Sequence, residues 1–151
     1  MPEKTPLHPD RVRLAHQFVE AIPHVRALGI TLTGVGRGWA KIDLPYDEKL
    51  IGDPETGVIH GGAVSTLMDT CLGTAVIASR DDLISTATLD LRIDYMRSAT
   101  PGQTITATAE CYHLARSVAF VRATARDEDT ERPVATATGA FTFETARKEG
   151  A

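Results

Sequence analysis

The sequence has 151 residues, enough for one domain with a substantial core and short for two. Hydrophobic residues make up 42% of the chain and charged residues 24%, as in an ordinary globular protein, so general disorder is not expected. The net charge of -4 and the isoelectric point of about 5.7 argue against nucleic acid as the main partner, because phosphate binding favours a basic surface.

The opening of the chain and its cysteines both favour a cytoplasmic protein. Residues 1–10 are polar and contain three prolines, unlike a secretory signal. The segment 61–79 is the one candidate for a membrane span, but its glycines, hydroxyls and aspartate argue against contact with lipid. Cys71 and Cys111 lie in apolar patterns without metal-ligand spacing. We therefore expect two reduced core thiols, with neither a disulfide nor a metal site.

The first part of the chain is predicted to contain a tail, a short helix and two strands. Residues 1–8 are interpreted as a flexible tail, followed by an amphipathic helix that ends near Pro23. Strands are expected at Leu28–Thr33 and Trp39–Leu44, on either side of a glycine-rich turn that lacks a phosphate-loop pattern. Residues 45–57 then form a polar loop that leads into the longest helix of the chain.

Four segments after that helix alternate between apolar and polar residues and are joined by short turns. They are Thr86–Tyr95, Thr104–His113, Ser117–Arg126 and Val134–Glu144. In the first of them the alternation assigns Ala87, Leu89 and Leu91 to a buried face and Thr88 and Asp90 to a polar one. Consecutive strands of this kind predict an antiparallel meander.

Together these elements predict an α+β fold in which a curved antiparallel sheet of five to six strands wraps around one long central helix. A short N-terminal helix precedes the sheet. We expect a single domain over residues 9–145, followed by a charged tail at 146–151.

The central helix carries one ionisable side chain, Asp69, in an otherwise apolar stretch. Spacing of about 100° per residue separates a stripe that should face the sheet from a second stripe that contains Asp69. The first stripe comprises Val64, Leu67, Met68, Cys71, Leu72, Ala75 and Ala78. The second adds Gly62, Thr66 and Gly73, which let a ligand or another backbone approach closely. From this pattern alone, a tight subunit contact and catalysis by Asp69 both stay open.

The start of the helix, at Gly61 and Gly62, offers backbone N–H groups at the positive end of the helix dipole. Such groups can stabilise an oxyanion or polarise a carbonyl. Together with a carboxylate that serves as general base or nucleophile, they suit acyl chemistry. His60 alone would more often be structural, and Ser65 lies within the helix, so a serine hydrolase is not expected.

The run Gly57-Val58-Ile59-His60-Gly61-Gly62, with Asp69 nine residues after the histidine, resembles the hotdog-fold acyl-CoA thioesterases of the PaaI-like (phenylacetic acid pathway) type. The later stretch 89–97 resembles the strand that follows the helix in that family, and the likeness covers roughly residues 25–144. It implies hydrolysis of an acyl-CoA without metal or organic cofactor. It also implies a homodimer or homotetramer with active sites at the dimer interface, and no nucleic acid or membrane partner.

By position, the resemblance implies a role for four residues in catalysis. Asp69 would act as general base or nucleophile toward the thioester, and the Gly61 N–H would polarise its carbonyl. His60 would help to hold the loop or the thioester, and Thr88, reaching in from the neighbouring subunit, would position water. The Gly62 N–H is a further candidate for contact with the substrate.

The chain departs from the family pattern just upstream of the helix. Many members have an asparagine six residues before the histidine, where this chain has Pro54. Either Asp53 or Glu55 takes part in substrate or water binding, or the water is held differently. Arg97 and Arg116 are candidates for contact with the phosphates of CoA, although both could be solvated charges at strand ends.

Two alternatives to hydrolysis stay open. A non-catalytic module that binds or senses acyl-CoA would share the fold, although binding alone would not require Asp69. A hydratase or dehydratase of the same fold is the weaker alternative, because Gly52-Asp53 lies seven residues before His60 and the Asn-Pro of that branch is missing. The sequence does not distinguish aromatic from aliphatic acyl groups.

Overall fold

In the computed structural model of the protein, residues 5–147 are described. The predicted flexible tail at 1–8 and charged tail at 146–151 therefore lie partly outside the described residues. The helices are α1 (Pro9–Glu20), α2 (Pro23–Ala27) and α3 (Gly61–Ile77). The strands are β1 (Thr31–Gly36), β2 (Trp39–Leu44), β3 (Ile51–Asp53), β4 (Val58–Ile59), β5 (Leu83–Tyr95), β6 (Ile105–Leu114), β7 (Val118–Arg126) and β8 (Ala135–Thr145).

Helix α3 is the centre of the structure because twelve of its 17 residues are buried. The predicted sheet-facing stripe is confirmed, since every one of its seven side chains is at most 3% exposed. These side chains pack against the inward-facing residues of the strands and form one continuous core, which stabilises the fold by removing apolar surface from water. The predicted fold class is thus confirmed.

Six strands form one antiparallel sheet in the order β1-β2-β6-β7-β8-β5, and β3 and β4 form a separate hairpin. The predicted meander is wrong in one respect, because β5 does not pair with β6. After α3 crosses the sheet, the chain emerges at the far edge, where β5 pairs with β8, and β6 returns to pair with β2. Within residues 5–147, β5 has a strand partner on one side alone.

Strand β5 contains a bulge that changes which of its residues face α3. Its register with β8 is interrupted between Thr88, which pairs with Phe141, and Asp90, which pairs with Ala140. The intervening Leu89 is the extra residue, and 58% of its surface is exposed. Because opposite residues of an antiparallel pair share a face, Thr88 lies on the same side as the buried Phe141. The predicted alternation is therefore wrong before the bulge.

The close approach of the two strands next to the bulge requires a glycine, Gly139, on β8. A Cβ at this position would lie 2.6 Å from the carbonyl oxygen of Asp90, closer than real side chains come. The absence of a side chain on one strand thus makes room for the kink on the other. Consequently, Leu91 and Ile93 return to the inner face after the bulge, where they pack against the core.

The N-terminal segment forms two helices where one was predicted. Helix α1 ends at Glu20, and α2 begins at Pro23, a residue type that suits the first turn of a helix. The side chain of Arg11 donates to the carbonyl oxygens of Ile77 and Leu83, at 2.7 and 2.9 Å, and so ties α1 to the end of α3. Strand β1 accordingly begins at Thr31, three residues later than predicted.

The polar loop predicted at 45–57 contains a 3-10 turn (Glu48–Leu50) and the first strand of the β3–β4 hairpin. This hairpin packs directly on the start of α3, since a Cβ on Gly52 would lie 2.8 Å from the Cα of His60. Across residues 5–147, none of the helices is both long and apolar enough to traverse a bilayer.

Candidate functional site

Asp69 and Thr88 are brought together in the structure. The Thr88 hydroxyl donates a hydrogen bond of 2.7 Å to Oδ1 of Asp69. The resemblance implied that Thr88 would come from a neighbouring subunit, whereas this bond forms within one chain, because the bulge turns Thr88 toward its own α3. A carboxylate accepts up to about four hydrogen bonds, so Oδ2 retains capacity for a water or a substrate.

A cavity of about 260 Å³ opens beside this pair. Its walls come from α1, α2, α3, β5 and β8. The lining residues are Phe18, Ile22, His24, Val25, Thr66, Asp69, Thr70, Gly73, Thr86, Ala87, Thr88 and Phe141. The small-residue stripe of α3 thus faces a space that a small molecule could occupy, which is the usual setting of a ligand site.

A histidine at the mouth of this cavity joins α2 to α3. His24 Nε2 lies 3.1 Å from the Thr66 hydroxyl, which itself donates to the Gly62 carbonyl at 3.0 Å. A hydroxyl has one hydrogen to donate, so Thr66 accepts from His24, and Nε2 of His24 carries the hydrogen. Sequence reasoning missed His24, because no local motif links position 24 to position 66.

The start of α3 forms a second cluster of functional groups. His60 is the N-cap residue, and its Nδ1 accepts a hydrogen bond of 2.8 Å from the Gly62 N–H. In the neutral ring the hydrogen therefore lies on Nε2. The Gly61 N–H is the first of the helix, where backbone donors point out of the helix end. His60 and both glycines are exposed, so the Gly61 N–H is accessible to a ligand, whereas the Gly62 N–H is engaged by His60.

Tyr95 braces this helix start from the end of β5. Its hydroxyl donates to the Gly61 carbonyl at 3.0 Å and is hydrogen-bonded to Ser65, and its ring lies alongside Gly61. Tyr95 is 51% exposed, and the sequence pattern of the strand did not indicate this contact. The same strand thus touches the helix start through Tyr95 and Asp69 through Thr88.

The two clusters are separated along the helix. Gly61 and Asp69 are eight residues apart, which corresponds to about 12 Å at the helical rise of ~1.5 Å per residue. Over the described residues, the lining of the cavity beside Asp69 includes neither His60 nor the two glycines. In a single chain the candidate base and the candidate carbonyl-polarising donors therefore do not share one cavity.

Asp53 and Glu55, the candidates to replace the family asparagine, lie in the turn between β3 and β4. The Asp53 carboxylate accepts from the Glu55 N–H at 3.0 Å and from the Thr56 hydroxyl at 2.8 Å. The Thr56 hydrogen bond is the main reason why the pKa of Asp53 is lowered. Both residues are exposed and do not line the cavity of Asp69, so the structure gives Asp53 a local turn-forming contact.

Arg97 is engaged in structural contacts that a CoA phosphate would have to displace. Its guanidinium donates to both oxygens of Asp127, at 2.8 and 2.6 Å, and to the carbonyl of Arg132 at 2.8 Å. The side chain is 18% exposed and that of Asp127 is fully buried. A contact between Arg97 and a CoA phosphate stays a prediction, and it would require this ion pair to open. Arg116 is exposed in the turn between β6 and β7.

Neither cysteine forms a disulfide, and residues 5–147 contain no cluster of three side chains suited to hold a metal ion. Cys71 is fully buried and donates toward the carbonyls of Ala40 and Ala107. Burial raises the pKa of its thiol to about 12, so it remains protonated and unreactive in the core.

A larger depression, of about 720 Å³, lies on the outer face of the sheet. It includes Trp39, Glu110 and Arg122 together with several threonines and alanines of β6, β7 and β8. The Arg122 guanidinium is paired with Glu110 and lies 4.8 Å from the ring centroid of Tyr112. Neither Asp69 nor the start of α3 contributes to this depression, which is therefore separate from the candidate site beside Asp69.

Known proteins with similar sequences are thioesterases. The sequence model of the thioesterase superfamily matches residues 56–134. The medium/long-chain acyl-CoA thioesterase YigI of Salmonella typhimurium is 26% identical over 141 residues, covering 85% of this chain and 90% of YigI.

Two solved structures extend the comparison to the fold. A Pseudomonas aeruginosa protein from a structural genomics programme is 39% identical, covers 87% of this chain and 98% of its own, and superimposes with a TM-score of 0.79. The Escherichia coli PaaI protein from the phenylacetic acid degradation operon is 22% identical, with coverage of 93% and 97% and a TM-score of 0.81. The expected hotdog fold is thereby confirmed.

Proposed function

Because the chain belongs to the thioesterase superfamily, we propose that it hydrolyses an acyl-CoA thioester to the free acid and CoA, with Asp69 as the reacting carboxylate. The observation that carries this proposal is the hydrogen bond between Thr88 and Asp69 at the edge of a cavity. The similarity to YigI, a medium/long-chain acyl-CoA thioesterase, supports the same substrate class. No metal or organic cofactor is needed for this chemistry.

In the general-base route, Oδ2 of Asp69 accepts a proton from water while the water oxygen attacks the thioester carbonyl carbon. The carbonyl oxygen gains negative charge, which backbone N–H groups at a helix start stabilise. Collapse of the tetrahedral intermediate breaks the carbon–sulfur bond and releases the CoA thiolate, which then takes up a proton. Thr88 holds Oδ1 and so leaves Oδ2 directed at the water. Direct attack by Asp69 would use the same atom and form an anhydride that water then cleaves.

The oxyanion donor in this proposal is the Gly61 N–H group of a second copy of the chain, because the Gly62 N–H already donates to His60. The separation of Gly61 and Asp69 along α3 argues against a site built from one chain. The base must contact the water, and the water must contact the thioester carbonyl, each at ~3 Å. His60 caps the helix by accepting a hydrogen bond from the Gly62 N–H, and this cap keeps the helix start, with the Gly61 N–H, in place.

The unpaired edge of β5 supports this arrangement. If two copies of β5 pair antiparallel, the Tyr95 end of one strand lies beside the Thr88 half of the other. Tyr95 contacts Gly61 and Thr88 contacts Asp69, so the pairing would bring one chain's helix start to the other chain's base. On this basis we propose a homodimer. Two such dimers could associate into a homotetramer.

Three further elements of the proposal concern the setting of the reaction. The functional unit spans residues 9–145, because α1 begins at Pro9 and β8 ends at Thr145. Arg116, exposed in a turn, remains a candidate contact for the CoA phosphates. The two cysteines, neither of which forms a disulfide, favour the cytoplasm, where cysteines stay reduced.

The central test is the Asp69→Asn variant, assayed for thiol release from a series of acyl-CoAs. We expect kcat to fall about 10²- to 10⁴-fold, the range typical of a general base, with unchanged assembly and circular dichroism. Activity equal to that of the wild type would refute the role of Asp69. Tight acyl-CoA binding by the wild type without thiol release would instead indicate a binding module.

Mixing two inactive variants tests whether two chains build the site. Gly61→Pro removes the N–H donor, and proline is tolerated at the first helical position because His60 already has an extended conformation (φ -59°, ψ 137°). Unfolding and refolding Asp69→Asn and Gly61→Pro together should restore about a quarter of wild-type activity, since half of the random dimers carry one intact site. No recovery, with mixed dimers verified, would place both groups in one chain.

A further inference from the structure

From the shape and lining of the cavity beside Asp69, we infer that it holds the aliphatic part of the acyl group, and that Gly73 and Phe18 set its maximum length at about eight carbons. This inference rests on the proposed thioester hydrolysis and adds the substrate class, medium-chain acyl groups. It also assigns a role to α1 and α2, which carry none of the catalytic groups.

The cavity is lined by a polar group of residues around Asp69 and by a larger apolar set. Asp69 and Thr88 are hydrogen-bonded to each other, and so are Thr66 and His24 near the helix start. The remaining lining consists of two threonines, Thr70 and Thr86, and of apolar residues: Phe18, Ile22, Val25, Gly73, Ala87 and Phe141. A thioester held at Asp69 would therefore direct its hydrocarbon chain away from the polar groups, toward a surface on which burial is favourable.

Gly73 leaves an opening that the backbone does not require. It lies inside α3 with ordinary helical backbone angles, where glycine costs about 1 kcal/mol relative to alanine. A Cβ at this position would lie 3.6 Å from Phe141 and 3.9 Å from Phe18, which are ordinary contact distances. A side chain would thus fit next to both rings. The consequence of having none is open space beside the apolar lining of the cavity.

The volume of the cavity gives the chain length. A water molecule occupies about 30 Å³ in the liquid and a methylene group is of similar size, so 260 Å³ accommodates about eight or nine methylene groups. Phe18 closes this space from α1. Arg11 anchors α1 to the carbonyls of Ile77 and Leu83, so the wall that Phe18 forms is fixed to the core.

The test is a chain-length profile of kcat/KM for thiol release from acetyl-, butanoyl-, octanoyl-, dodecanoyl- and palmitoyl-CoA. In the wild type, kcat/KM should rise about threefold to fourfold per added methylene up to octanoyl and then level off or fall. Gly73→Leu should lower kcat/KM for octanoyl-CoA at least tenfold and leave acetyl-CoA within threefold. Phe18→Ala should move the optimum toward dodecanoyl-CoA.

Leu14→Ala is the matched control, since Leu14 is an exposed residue one turn before Phe18 on α1 and does not line the cavity. Its profile should equal that of the wild type. The inference would be overturned if Gly73→Leu and Phe18→Ala each changed kcat/KM by the same factor at all chain lengths. Circular dichroism and thermal unfolding establish that the variants are folded.

A binding experiment separates this inference from the proposed reaction. Calorimetry with S-methyl-, S-octyl- and S-dodecyl-CoA thioethers, which are not hydrolysed, measures occupation of the cavity without turnover. Gly73→Leu should raise the Kd of S-octyl-CoA at least tenfold and leave the Kd of S-methyl-CoA unchanged. If the wild type released no thiol from any acyl-CoA, but Gly73→Leu still weakened the binding of S-octyl-CoA and not that of S-methyl-CoA, the proposed hydrolysis would be refuted. The acyl site would then be supported. Equal weakening of both ligands would refute the acyl site.

Discussion

Two aspartates in the protein differ sharply in how their charge is compensated. The Asp127 carboxylate accepts two hydrogen bonds from Arg97, one from the Thr100 N–H and one from the Asp129 N–H. For Asp69 the described residues provide one hydrogen bond, from the Thr88 hydroxyl. Asp127 is almost fully buried, whereas Asp69 is half-buried at the edge of a cavity.

These two environments distinguish a carboxylate that stabilises the fold from one that can react. Burial of an ion pair is compatible with folding when hydrogen bonds satisfy both partners, as at Asp127. A carboxylate that keeps an unsatisfied oxygen beside a cavity is able to accept a proton from a substrate or a water. On this criterion Asp127 stabilises the fold and Asp69 is available for catalysis.

The largest effect on stability is expected from Asp127→Asn. The substitution leaves the Arg97 guanidinium, 18% exposed, without its counter-charge, which should lower the free energy of unfolding by about 3 to 5 kcal/mol. Urea denaturation measures this quantity. The matched variant is Asp69→Asn, for which we expect a change below about 1 kcal/mol, as is usual away from buried charge pairs. Equal losses of stability in the two variants would remove the distinction.

The same ion pair should make the stability of the protein depend on pH in acid. The Arg97 guanidinium beside Asp127 holds the pKa of that carboxyl well below its usual value of about 3.9. The stabilisation is therefore complete above about pH 4 and is lost as the pH falls below it and Asp127 becomes protonated. The difference in unfolding free energy between wild type and Asp127→Asn should shrink below pH 4. A constant difference down to pH 2 would contradict this account.

Thr88→Val should reduce kcat about tenfold to a hundredfold. The substitution keeps the shape of the side chain and removes a hydrogen bond to a charged group, worth about 1.5 to 3 kcal/mol. Steady-state thiol release measures the effect, and Thr88→Ser should restore most of the activity. Thr86→Val is the control, because Thr86 lines the same cavity but donates to the Thr142 carbonyl. Equal losses in Thr86→Val and Thr88→Val would indicate a general effect on the strand.

Gly139→Ala should weaken the site indirectly, through the bulge. The new Cβ would approach the Asp90 carbonyl to 2.6 Å, so the backbone must shift, at a cost of about 1 to 3 kcal/mol in stability. Because the bulge directs Thr88 toward Asp69, we also expect a loss of kcat in the folded protein. Thr138→Ala, an exposed neighbour on β8, should change neither quantity. Full activity in Gly139→Ala would show that the bulge does not govern the position of Thr88.

The smallest effect is expected from His60→Ala, which removes the cap of α3. Loss of a helix cap lowers stability by about 1 kcal/mol. His8 has nearly the same cap geometry at α1, with its Nδ1 accepting from the Asp10 N–H at 3.2 Å. His8→Ala should cost no more stability and leave kcat unchanged, whereas His60→Ala should lower kcat as well. Unchanged kcat in both variants would confine His60 to a structural role.

The sequence was sufficient to predict α3 and its faces, because apolar spacing and a single charge are local properties. The burial of the sheet-facing stripe and the position of Asp69 beside a cavity both follow from helical periodicity. The family resemblance singled out Thr88, although strand alternation placed it on the wrong face. A bulge adds one residue without any marked sequence signal, so alternation alone could not detect Leu89 as the extra residue.

Contacts between distant segments could not be predicted. Arg97 and Asp127 are thirty residues apart, and the guanidinium suggested as a phosphate contact proved to be paired in the core. His24 and Thr66 are more than forty residues apart, and neither belongs to a motif. Strand β5 lies at the far edge of the sheet because α3 carries the chain there. The alternation of residues within each strand gives no information about this position.

The buried thiol of Cys71 also makes the core accessible to a kinetic measurement. With its pKa near 12 and no exposed surface, Cys71 reacts with alkylating reagents only when the packing around α3 opens. Cys111 is partly exposed and should react in the closed protein. The rate at which Cys71 is alkylated therefore reports how often the interior opens, in the natural sequence and without an introduced label.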